Sequence, residues 1–138
     1  MEPDALRAHI LTSWLTPVAR RVIRLDRRIH AVIYALARDG DEVVEDFVPV
    51  VALPARWPEC FEDNPWLEED SDEAEALDDA LMDACEELDG PSPADLAAAW
   101  GDTLPPEGPD GPVFVPVALA TPKGARPWED RAPRPAGA

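Results

Sequence analysis

Apolar positions in the first third of the chain recur at helical spacing. Leu6, Ile10 and Trp14 share one face, with Leu11 and Leu15 beside them, which predicts a helix starting near Pro3. Thr16-Pro17 reads as a stop and an immediate restart, with Thr16 as N-cap and Pro17 in the first turn. Val18, Val22, Leu25, Ile29, Val32 and Leu36 then mark one face over about five turns. Arg20, Arg21, Arg24, Arg27, Arg28 and Arg38 fall mostly off that face. Residues 31–37 also admit a strand, because Asp39-Gly40 is a hairpin signal and Glu42 to Val51 is strand-like. The Ala and Leu content favours the helix, with Gly40 as its left-handed C′ residue.

Val43 to Leu53 predicts a strand, and Pro49 inside it predicts an edge position or a bulge. Residues 54–70 break every period, with Trp57, Phe61 and Trp66 as anchors of a long loop. A helix follows from Asp70 or Ser71 to Asp89, with Leu77, Leu81, Cys85 and Leu88 as its buried stripe. Ser92, Pro93 and Asp95 open a shorter helix through a box-like cap, and Gly101 closes it. Val113 to Leu119 predicts a second strand, again with a proline, Pro116. From residue 122 to 138 the chain is Pro-, Ala- and Arg-rich without periodicity and reads as a disordered tail. The expected fold is α+β: a small single domain over residues 1–121, mostly helical, with two short Pro-containing strands. Phe47-Val48-Pro49-Val50 recurs as Phe114-Val115-Pro116-Val117. The two copies are either edge strands of similar composition or the side-by-side strands of a duplicated α–β unit.

Charge changes this picture more than composition does. The chain of 138 residues carries a net charge of −17. Residues 1–56 hold eight acidic and eight basic side chains, whereas residues 57–122 hold nineteen acidic ones and no Lys or Arg. Residues 123–138 hold four basic and two acidic side chains. Nine carboxylates fall between Ser71 and Asp89, on a helix about 28 Å long. That is about one negative charge per 3 Å, close to the roughly 3.4 Å spacing along one DNA strand. Glu75/Asp79, Asp79/Asp83 and Asp83/Glu87 are i,i+4 pairs of like charge, which repel.

Candidate chemistry is sparse. The acidic run lacks the glycine of a calcium-binding loop, and His9, His30, Cys60 and Cys85 have no metal-type spacing, so no metal or cofactor is expected. No nucleophile elbow, phosphate loop or zinc-protease motif is present, and an enzyme is not expected. The two cysteines read as buried free thiols of a reducing compartment, with a single disulfide as the alternative. No apolar run spans a membrane and the N-terminus does not resemble a secretory signal, so a cytoplasmic protein is expected. The arginines at 20–28 serve as internal counter-charge or a solvated face. Direct nucleic-acid binding is disfavoured by net charge.

The expected function is a non-enzymatic acidic binding protein that occupies a basic surface of a protein partner. The partner-binding residues would be Glu68, Glu69, Asp70, Asp72, Glu75, Asp78, Asp79, Asp83, Glu86 and Glu87. Anti-restriction, anti-CRISPR and nuclease-immunity proteins mimic nucleic-acid charge in this general way, which is an analogy of charge alone. The alternative is a structural protein that assembles, with itself or a partner, through its FVPV strands, its acidity serving solubility or high salt.

Overall fold

The computed structural model describes residues 2–51, 57, 61 and 64–128. A helical segment opens the chain: α1 (Pro3–Ile10), one π-turn (Leu11–Leu15) and α2 (Thr16–Ile23) run on without interruption. The predicted break at Thr16-Pro17 is absorbed instead of ending the helix. Pro17 has no N–H to give to the preceding turn, and the backbone widens there by one residue. Thr16 is therefore no N-cap: both its N–H and its hydroxyl donate to the Leu11 carbonyl, the hydroxyl at 2.7 Å.

The second predicted helix ends at Ile23, and residues 31–39 form a strand. β1 (Ala31–Asp39) pairs with β2 (Glu42–Val50) through a tight turn at Gly40-Asp41. Gly40 has φ +63°, so the left-handed residue expected at a helix end serves the hairpin instead. Two further strands, β3 (Val115–Thr121) and β4 (Gly124–Pro127), complete one antiparallel sheet in the order β2-β1-β3-β4. The fold is α+β, but the expectation of a mostly helical domain with two short strands is overturned. Among the described residues there are four strands, and β4 lies in the stretch expected to be a disordered tail. The remainder of that stretch, 129–138, lies outside the described residues, as does Cys60.

β1 is the centre of the molecule. Residues 31–37 are all buried, because β1 has a strand on either side and both of its faces are covered. Val32, Tyr34 and Leu36 meet Ile10, Trp14, Leu15, Val18 and Val22 of the first helical segment in the main core. On the opposite face Ala31, Ile33, Val48 and Val50 form a second cluster, packed by Trp57, Leu67, Leu119 and Trp128. This two-sided burial overrides the helix propensity of Ala and Leu.

The two FVPV copies occupy different positions. Pro49 lies on the edge strand β2, where its missing N–H breaks no ladder bond. The Asn64 side chain donates to the Pro49 carbonyl at 2.8 Å, and the Asp46 carboxylate accepts the Phe47 N–H at 2.9 Å, so this edge is blunted. Pro116 lies beside an irregularity where the β1–β3 register shifts between Tyr34 and Ala35. β1 stands between the two copies, so they are not side by side.

α3 (Asp72–Glu87) and α4 (Pro93–Trp100) follow as expected. The Ser71 hydroxyl accepts the Ala74 N–H at 3.0 Å, and Ser92 and Asp95 complete a reciprocal capping box at 3.1 Å each way. Arg7 donates to the Ala99 carbonyl and Arg38 to the Gly101 carbonyl, placing cations at the negative end of α4.

Candidate acidic interface

α3 is held by a narrow apolar stripe. Leu77 and Ala84 are buried and Leu81 and Leu88 half-buried, whereas Cys85 is an exposed free thiol, not part of the stripe as expected. The helical period makes Ala84 the residue that shares the face of Leu77 and Leu88. Directly opposite, Asp72, Glu75, Asp79, Asp83 and Glu86 follow one another at spacings of three and four, and all five are exposed. Asp78 is exposed on one flank of this row and Glu87 on the other.

The flanks differ electrostatically. On the α2 side Arg21 forms an ion pair with Glu87, and Glu73 reinforces the charge on Arg28, which itself pairs with Asp26 at 2.8 Å. The arginine cluster thus acts in part as internal counter-charge. No ion pair reaches Asp72, Glu75, Asp78, Asp79, Asp83 or Glu86 among the described residues. Met82, 63% exposed, stands beside this unpaired row.

At the N-terminal end of α3 the surface becomes concave. A 3-10 turn (Pro65–Leu67) seats Trp66 in the core, 4% exposed, and Asn64 caps it by accepting the Trp66 N–H at 3.1 Å. The chain then turns back through Asp70, which adopts φ +63°, a conformation that Asp tolerates better than most side chains. This fold-back brings Glu68, Glu69, Asp70, Glu75 and Asp78 around one cleft of about 540 Å³, with Trp66 in its wall. Asp72, Asp79, Asp83, Glu86 and Glu87 stay on the convex helix beyond it. All ten expected partner-binding residues are therefore exposed, but as two groups, a cleft and a ridge.

Two carboxylates behind this surface went unnoticed in the sequence. Asp46 on β2 is pushed above the usual aspartate value by burial, and by the charge of Asp78. Glu45, its neighbour, points to the opposite face, where Oε2 accepts from Trp14 Nε1 at 3.0 Å and from the Tyr34 hydroxyl. Burial raises the Glu45 carboxyl above its ordinary value, and the two donors oppose the rise. The Cys85 thiol is also pushed up, first by burial and then by the Glu45 charge.

Comparison of the chain with family models, with curated proteins and with solved structures finds no match in any of the three.

The geometry therefore has to speak through its own chemistry. Among the described residues no three His, Cys, Asp or Glu side chains converge as a metal ion would require. Also among them, no helix is long and apolar enough to cross a membrane. His9 and His30 are exposed on the surface. A ridge of unpaired carboxylates with a cleft at its end can receive guanidinium or ammonium groups, the cleft taking one side chain and the ridge a row of them.

Proposed function

We propose that the protein is a non-enzymatic binding protein whose α3 ridge and adjoining cleft dock on a basic surface of a protein partner. The observation that carries this reading is the row Asp72, Glu75, Asp79, Asp83 and Glu86, exposed on one face with no ion pair among the described residues. Repulsion along the row is relieved when a partner supplies positive charge. Exposed Met82 beside the row adds an apolar contact of the kind found at interface centres. The eight carboxylates of α3 over about 24 Å approach the charge density of a nucleic-acid strand, so a partner with a nucleic-acid groove fits best.

Assembly through the FVPV strands has less behind it: one copy is on a blunted edge, and the other pairs with β1 along one side.

The test compares the native chain with Asp79→Asn/Asp83→Asn/Glu86→Gln as bait in the host lysate at low salt. A partner captured only by the native chain, released by salt and displaced by duplex DNA, supports the proposal. Equal capture by the triple variant overturns it.

A further inference from the structure

Among the described residues β4 pairs with residues 118–121 of β3, the Trp128 N–H donates to the Val117 carbonyl at 2.9 Å, and no strand lies beside Val115 and Pro116 on the side away from β1. The first helical segment faces this end of the sheet. The result is a cleft of about 800 Å³ between α1, the π-turn and the β3–β4 pair, sharing no residue with α3. Its walls are apolar: Leu11, Trp100, Val117 and Trp128 supply most of the large side chains. This volume lies within the roughly 300–1,000 Å³ typical of small-molecule sites, which combine apolar walls with a few fixed polar groups.

Among the described residues Arg7 is the only cation in the lining and Asp4 the only acid. Its Nε donates to the Ala99 carbonyl at the end of α4, which anchors the guanidinium. Its Nη1 lies 3.6 Å from Asp4, too long for a hydrogen bond, and that carboxylate is 95% exposed. Nη2 has no protein acceptor among the described residues. The end of the guanidinium thus keeps donors for an anion, in a fork that fits a carboxylate. The Thr12 hydroxyl, also in the lining, adds a further donor.

We propose that this cleft is a binding site for a small amphipathic monocarboxylic acid, whose aromatic or branched apolar body lies between helix and sheet and whose carboxylate meets Arg7. Asp4 is turned to water at the rim, so the single guanidinium is left to match one further negative charge. A polyphosphate is excluded by the same argument, because the surrounding net charge of −17 repels a multiply charged ligand that a single arginine cannot neutralise.

The test is calorimetric titration of the full chain with naphthylacetate and with its uncharged amide. The acid binds one to one with Kd below about 0.1 mM, and the amide roughly tenfold more weakly. Arg7→Gln weakens the acid about tenfold and leaves the amide unchanged, a split that a general loss of folding does not produce. Ala8→Trp, which places an indole in the cleft from an exposed helix position, removes binding of both while circular dichroism stays native. Absence of saturable heat for either probe at about 1 mM overturns the proposal. So does unchanged binding in Ala8→Trp, or an equal loss of acid and amide in Arg7→Gln.

Discussion

Glu45 offers the sharpest test of how the core is held together. Its carboxylate accepts from both Trp14 Nε1 and the Tyr34 hydroxyl, and both donor side chains are buried, at 2% and 0% exposure. Glu45→Ala strands these two donors, each at a cost of about 1–3 kcal/mol. The variant no longer keeps a charge out of water, which offsets part of the loss, so a net destabilisation of about 2–4 kcal/mol is expected. Glu45→Gln keeps a carbonyl acceptor in the same place and sheds the charge, and its change stays within about 1 kcal/mol. Urea unfolding read by tryptophan fluorescence gives both values. The pH dependence separates the charge from the hydrogen bonds. The folded Glu45 pKa lies above its ordinary value of 4.5, so between the two values the native state holds a proton that the unfolded state has lost. The resulting stability is fully present below 4.5 and disappears as pH rises through the folded pKa. Asp46, raised from 3.8, has the same sign, whereas Asp26, lowered to about 2 by its hydrogen bonds to Arg28, is stabilising above 3.8 and loses this as pH falls to 2. Glu45→Gln should therefore flatten the decline of stability above pH 4.5. Equal losses in Glu45→Ala and Glu45→Gln, or an unchanged pH slope, would refute the reasoning.

Gly90→Ala should destabilise by about 1–3 kcal/mol in the same assay, because an added Cβ meets the ring of buried Trp14 at 3.1 Å. Ser71→Ala removes the acceptor for the Ala74 N–H at the start of α3 and should cost about 1 kcal/mol, with Ser71→Gly costing less. The Asp79→Asn/Asp83→Asn/Glu86→Gln variant should be more stable than the native chain by about 0.5–2 kcal/mol at low salt, the gain shrinking as salt rises. A loss of stability in that variant would mean that the ridge is held by interactions other than those described.

What the sequence disclosed depends on whether the signal was local. Ser71, Ser92 and Asp95 announce their helices because a cap is a contact between near neighbours, and the acidic ridge is legible because a helix converts spacing into a face. Pro49 and Pro116 reported an edge and an irregularity for the same reason. β1 was misread because a strand buried on both faces has no alternation; Val32 and Leu36 fall at helical spacing by coincidence, and only the two flanking strands decide the matter. Gly124–Pro127 carries no apolar pattern and becomes a strand only by pairing with β3. The cleft that joins Glu68, Glu69 and Asp70 to Glu75 and Asp78 depends on the chain turning back at Asp70, which no spacing encodes. Glu45 was hidden for a related reason, since a polar residue in a strand is read as facing water until Trp14 and Tyr34 are seen against it.

The placement of arginine gives the acidic surface its meaning. Arg7 and Arg38 are committed to the carbonyls at the end of α4, Arg21 to Glu87 and Arg28 to Asp26. Residues 1–56 are charge-neutral, yet these four cations lie on the side of α3 that faces α2 or around α4, and among the described residues the opposite row has no ion pair. A protein under pressure only for solubility gains nothing from keeping like charges three and four residues apart on one helix, because each such pair costs a few tenths of a kcal/mol. In the proposed complex a partner's positive charge at the ridge would recover that cost. Stability and partner affinity should therefore move in opposite directions along the later turns of α3: neutralising Asp79, Asp83 or Glu86 should strengthen the free fold and weaken the complex, whereas Asp72 and Glu75 favour the helix N-terminus. Loss of binding in a variant that folds more stably than the native chain could not be ascribed to unfolding, and that result would give the ridge a role that solvation alone does not explain.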